Sequence, residues 1–173
     1  MTQVKDGDTS EKKPDDDGKN IRIEVEHDGK AEPADLKIDR DDDVLAAVRK
    51  ALALEPDVFL FERDKDEPLS GPIKGRKALR LIAHKSRLIT VQVRYEHRTI
   101  EEKFAPSRTV FRVLEWAVGK KGFHLDATSA AKANLILPGA DAPLPRDATI
   151  GRLVPAGEHV LVVDLTLQDF TNG

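Results

Sequence analysis

Hydrophobic and polar positions along the chain describe nearly the same unit twice. Ile21, Ile23 and Val25 alternate with Arg22, Glu24 and Glu26, the period-2 pattern of a half-buried strand, and Asp28-Gly29 follows as a hairpin turn signal. Ile89, Val91 and Val93 alternate with Thr90, Gln92 and Arg94 in the same way, and the pair Glu26-His27 recurs as Glu96-His97. A second strand follows each time, Ala34–Ile38 and then Thr99–Phe104, so each copy opens with a hairpin.

A helix is predicted after each hairpin. Asp41-Asp42-Asp43 precedes Val44, Leu45, Val48 and Leu52, which share one helical face, and the carboxylates suit the positive end of a helix. The Asp cluster therefore reads as a cap, not a metal site. In the second copy Pro106-Ser107-Arg108-Thr109 precedes Val110, Val113, Leu114, Ala117 and Val118, with Thr109 as N-cap and Gly119 or Gly122 as the stop. Further strands are expected at Val58–Phe61 and Asn134–Leu137, each followed by a turn-rich stretch with a lone leucine, Leu69 and Leu144. The copies close on Ala78–Ala83 and His159–Leu165. The extra residues of the second copy fall around Asp126–Ala131 and Ala140–Pro143, read as loop. The connection Lys85-Ser86-Arg87 is short, which limits the relative orientations of the two units without implying a rigid interface.

Residues 1–20 contain Met1 and Val4 as their only apolar side chains and read as a disordered, mildly acidic tail, with Asp15–Asp17 as solvated charge. The domains expected are thus 21–85 and 88–165, followed by a flexible tail, 166–173. At 173 residues the chain holds one ordinary domain or two small ones.

Composition removes several chemistries. Cysteine is absent, which excludes disulfides, thiolate metal sites, iron–sulfur clusters and a thioester on the chain's own side chains. Lys and Arg total 28 against 31 Asp and Glu, and no segment concentrates enough basic charge to track a phosphate backbone, so nucleic acid is not an expected partner. With no long apolar run and no leader pattern, no membrane partner is expected and the cytoplasm is the default location. His27, His84, His97, His124 and His159 are scattered without metal-ligand spacing, and Ser107 and Ser129 have no identifiable base or nucleophile-elbow context. No catalytic residue and no metal ligand is assigned. Gly119-Lys120-Lys121-Gly122 lacks the phosphate-loop spacing, Lys74-Gly75-Arg76-Lys77 reads as a solvated basic loop, and Trp116 reads as packing.

Strand, strand, helix, strand, short strand, strand is an α+β layer pair with one helix across a sheet. In the second copy the helix start Pro106-Ser107-x-Thr109-Val110 and the strand and turn Leu135-Ile136-Leu137-Pro138-Gly139 resemble ubiquitin, as do Leu144, Asp147-Ala148-Thr149-Ile150 and the strand Val160–Val163. The first copy is similar but more divergent. The fold class implied is two tandem ubiquitin-like β-grasp domains, each ββαβ(β)β. By arrangement the chain resembles the interferon-induced tandem ubiquitin-like modifier and the tandem ubiquitin-like proteins of bacterial conjugation operons, some of which defend against phage.

That resemblance implies a modifier without enzymatic activity and without a cofactor of its own. Its partners would be an activating enzyme that uses ATP, a cysteine-bearing conjugating enzyme, a deconjugating protease and the target proteins. Gly173 would be the conjugating residue, although the tail departs from ubiquitin's: one glycine follows Asn172, no Lys or Arg follows Arg152, and Asp169 and Phe170 add charge and bulk. The family's partner-binding patch, carried over by position, falls on Ile136, Leu161 and Val163 in the second copy and on Leu60, Arg80 and Ile82 in the first. Leu135, Val160 and Val162 are then expected to face the core; packing of the patch against the first domain or against a symmetry-related copy is the competing reading. Two other functions compete with the modifier. One is a tandem ubiquitin-like binding module that is never conjugated; the other is a sulfur carrier, against which two domains and Asn172 both argue.

Overall fold

A computed structural model describes residues 18–27, 30–168 and 170. The first unit comprises β1 (Asn20–His27), β2 (Ala34–Asp39), α1 (Val44–Ala51), β3 (Phe59–Glu62) and β4 (Ala78–His84). The second comprises β5 (Ile89–Tyr95), β6 (Arg98–Phe104), α2 (Val110–Val118), α3 (Ala127–Lys132), β7 (Asn134–Ile136), α4 (Ile150–Leu153) and β8 (Val160–Thr166). Most of the tail expected over 1–20, and the Asp28-Gly29 turn, lie outside the described residues; Gly18 and Lys19 form a turn and Asn20 already belongs to β1.

Each unit folds into a four-stranded sheet, ordered β2-β1-β4-β3 and β6-β5-β8-β7. The first and last strands of a unit lie side by side and parallel in the middle, and all other pairings are antiparallel. These are two β-grasp units of the ubiquitin-like kind. Parallel neighbours need a crossover, which the helix-bearing segment supplies while covering one sheet face. Ile21, Ile23, Val25, Val44, Val48, Leu60, Leu79 and Leu81 close the first core, and Val91, Val93, Val113, Leu114, Leu135, Leu161 and Val163 belong to the second.

The caps follow the sequence. The Asp43 carboxylate accepts from the Ala46 amide at 3.2 Å, and Thr109 is the N-cap of α2 with extended backbone but no side-chain capping bond. Gly119 ends α2. Two segments read as loop or turn are short helices: α3, whose first turn Asp126 caps by accepting from the Ser129 amide at 2.9 Å, and α4. The lone leucines play one part in both units, the Leu69 amide donating to the Leu60 carbonyl (2.7 Å) and the Leu144 amide to the Leu135 carbonyl (2.8 Å). This correspondence makes Leu60 the counterpart of Leu135, and Phe61 the counterpart of Ile136.

Candidate functional site

In a β-grasp unit the sheet face away from the helix is the face that the unit's own helix leaves uncovered, and which residues it presents depends on strand register. A slip of one residue exchanges the faces. In β8, Leu161 pairs with Val91 and Val163 with Val93, so both lie on the core side and are only 4% and 1% exposed. The outward residues are Val160, Val162, Asp164 and Thr166. The expectation that Leu161 and Val163 belong to an outward patch, with Val160 and Val162 inside, is therefore reversed. All residues of β8 from Val160 to Val163 are aliphatic, so alternation carries no signal within that run; the partner strand β5, which is half polar, sets the register. Ile136 does face outward, paired with Asp164 and half-buried, while Leu135 is in the core.

The first unit shows the same correction. Leu60 is a core residue, 1% exposed, paired with Ala83; Phe61 is the outward residue of β3, paired with Ile82. Arg80 and Ile82 do lie on the outer face. Arg80 is exposed, but Ile82 is 3% and Phe61 0% exposed, although neither belongs to the first unit's core.

The two outer faces therefore differ. The second unit's is open: Ile136, Val160 and Val162 form a half-exposed apolar strip beside a polar border. In that border Arg94 grips Asp164 with two bonds (Nε–Oδ1 2.6 Å, Nη2–Oδ2 3.0 Å), and Gln92 donates to Glu101 at 3.0 Å. The Asp164 carboxylate raises the Arg94 pKa by accepting those bonds. The carboxylate fork fixes the polar edge of the strip in the manner of a bidentate pair.

The first unit's outer face is met by residues of α2, α4 and the turns before them. The Asp64 amide donates to the Ser107 carbonyl at 2.9 Å, and the Ser107 hydroxyl donates to the Lys65 carbonyl. Arg108 donates from Nε to Asp66 Oδ1 at 2.6 Å and from Nη1 to the Asp64 carbonyl at 3.1 Å, and Arg112 Nε reaches Asp64 Oδ2 at 3.3 Å. On the far side of the face the Thr149 hydroxyl donates to Glu26 at 2.5 Å, and Arg152 donates to the Ala31 carbonyl. The Arg108 hydrogen bond holds the Asp66 carboxyl below its usual value, and Asp66 in turn raises Arg108. Sequence reasoning missed this junction. Its signals were Arg108, just before the N-cap of α2, with Arg112 in the first turn of that helix, and the acidic Asp64-x-Asp66 turn after β3, each unremarkable alone.

Gly173 lies outside the described residues. The strand that leads to it is described: Thr166 pairs with Asn134, two residues from Ile136, so the chain leaves the second sheet beside the apolar strip. Residues 167–173 could span at most ~25 Å from there when extended. Among the described residues no group of three or more His, Cys, Asp or Glu side chains is placed to hold a metal ion, and no helix is long and apolar enough to cross a membrane.

No curated protein matches the chain. Residues 90–168 match the family model described as BilA ubiquitin-like domain 2, so the second unit is similar to ubiquitin-like domains of the BilA type, a class of domain that is in general not enzymatic.

Proposed function

We propose that the chain is a ubiquitin-like modifier of a bacterial anti-phage system, acting in the cytoplasm and joined through the Gly173 carboxylate to amines on target proteins. The observation that carries this reading is that the BilA-like second unit keeps an open apolar strip, Ile136, Val160 and Val162, beside the point where the chain leaves β8 toward Gly173. An enzyme seated on that strip has the tail within reach.

The chain contributes the acyl group and the docking surface; partners contribute every reactive group. An activating enzyme converts the Gly173 carboxylate to an acyl adenylate, releasing pyrophosphate from ATP. A partner cysteine then displaces AMP to give a thioester, and a target amine attacks its carbonyl, forming an isopeptide bond and freeing the thiol. Glycine suits the last position because, without a Cβ, it fits a narrow enzyme channel. A deconjugating protease would reverse the link by hydrolysis. The cysteine-free composition is consistent with cargo and not with a thioester-carrying enzyme.

The test is mass spectrometry of target proteins after expression of the chain with its partner enzymes. Trypsin leaves an unwieldy remnant because Arg152 is the last basic residue, whereas cleavage after Asp169 leaves Phe-Thr-Asn-Gly on the modified lysine. Finding that remnant, and losing it when Gly173 is deleted, supports the modifier. Adducts that persist without Gly173 refute its role. Unmodified protein in the presence of active enzymes, with binding abolished by Ile136→Arg, favours the non-conjugated module that docks through the same strip.

A further inference from the structure

Two units of one fold present outer faces of opposite accessibility. Phe61 and Ile82 stand side by side on the first unit's face, beside Glu26 on β1, and are almost wholly covered without belonging to either core. Their counterparts in the second unit, Ile136 and Asp164, are half-exposed and reach solvent. What covers the first face is the second unit. Its Ser107 and Thr149 are both 0% exposed although polar, and both spend their hydroxyls on the first unit, on the Lys65 carbonyl and on Glu26. A cavity of about 40 Å³ between the units is lined by Glu26, Ile82 and His84 on one side and Gly151 and Arg152 on the other.

Besides a bond that Arg63 donates to the Asp147 carbonyl across the junction, the attachment includes two separated clusters of contacts. At one, the turn after β3 places Asp64 and Asp66 against Arg108 and Arg112. At the other, Glu26 and the Ala31 carbonyl hold Thr149 and Arg152. A single contact would act as a pivot; two contacts across one face, with the apolar pair between them, fix orientation. Asp64 is left-handed, φ 63°, a conformation unfavourable for a residue with a Cβ. Its amide and its carboxylate both serve the second unit.

We propose that this junction is a latch: the second unit occupies the first unit's outer face as that face's own ligand. The chain is left with one open docking face, and a partner that reads the Phe61–Ile82 face must first displace the second unit. The occupant is defined by its chemistry. It brings two guanidinium groups to a pair of carboxylates, and two buried hydroxyls to a carbonyl and a carboxylate, and the linker Lys85–Leu88 keeps it at hand. This goes beyond the modifier reading and holds whether or not Gly173 is conjugated.

Nitrogen-15 relaxation on the full chain at neutral pH tests it. A latched chain tumbles as one body, with a common correlation time for amides of β1 and β5. Arg108→Glu with Arg112→Glu sets carboxylate against carboxylate and is expected to split this into two shorter times, to shift the Phe61 and Ile82 amide signals, and to leave the core amides of Val91 and Val93 in place. Asp66→Lys with Glu26→Lys, made on the first unit, should do the same. Independent tumbling of the unmodified chain overturns the latch, as does common tumbling with unchanged Phe61 and Ile82 signals in both charge-reversed variants. Should one variant fail to fold, the unmodified chain and the other variant still decide.

Discussion

Leu161 and Val162 are neighbours of similar apolar character on one strand, and the register of β8 assigns them opposite fates. Leu161→Ala removes three buried carbons, about 2.4 kcal/mol of transfer free energy at ~0.8 kcal/mol per methylene, and a cavity contribution brings the loss to about 3 kcal/mol. Leu161 is 4% exposed and packs among Val91, Val93 and the residues of α2, so little collapse is available to relieve the cavity. Val162→Ala removes atoms from a half-exposed outward position and should cost under ~1 kcal/mol, mainly β-propensity. If the chain unfolds as one body, at ~2–4 °C per kcal/mol, Leu161→Ala lowers Tm by roughly 6–12 °C and Val162→Ala by no more than ~4 °C. Trp116 is the chain's single tryptophan and stacks edge-on against Phe104 with ring centroids 5.5 Å apart, so its fluorescence in a urea titration reads the second unit specifically. Circular dichroism reads both units. A Leu161→Ala loss below ~1 kcal/mol together with a Val162→Ala loss above ~2 kcal/mol would place β8 in the opposite register and refute the assignment of the open strip.

Other outcomes follow from single contacts. A Cβ at Gly122 would stand 2.3 Å from the Ala117 carbonyl oxygen, a backbone atom that cannot turn aside, so Gly122→Ala should destabilise the second unit by at least ~2 kcal/mol in the same urea titration. Asp43→Ala removes the bond to the Ala46 amide at the start of α1 and should cost about 1 kcal/mol, read by urea denaturation followed by circular dichroism, with no dependence on added divalent cation. Asp66 has its folded pKa below the unfolded value near 3.9, so its contribution to the latch is complete above that pH and is lost as pH falls through the lower folded value. Small-angle scattering should therefore show one compact particle from pH 5 to 8 and expansion only below about pH 4; expansion at pH 6 would contradict the pairing.

Element order was legible because the amphipathic periods are clean where one face is wet. Ile21–Val25 and Ile89–Val93 alternate with polar residues, and Val110, Val113, Leu114 and Ala117 mark one helical face, so strands and helices stand close to where the pattern puts them. Periodicity fails where both faces are apolar. Phe59–Phe61, Leu81–Ala83 and Val160–Val163 carry hydrophobic residues at successive positions, and alternation within such a run cannot say which residue faces the helix. Pairing with a polar-alternating neighbour decides it: Val25 opposite Leu81 in the first unit, Val91 opposite Leu161 in the second.

Those runs also carry information that a single strand's pattern hides. A strand covered on both faces needs something on the second face, and Phe61 and Ile82 are buried although they lie outside the first unit's core cluster. The second unit's outer face, with Asp164 where the first unit has Ile82 and Val162 where it has Arg80, sets aliphatic residues beside polar ones, as a face exposed to water or to a transient partner does. The two registers thus convert one repeated fold into two different surfaces: one satisfied within the chain, the other left beside the route to Gly173. Replacing Ile136 by Arg, which leaves the core untouched, should therefore weaken partner docking with little change in Tm, whereas placing Arg at Phe61 should disturb the union of the two units before it disturbs either core.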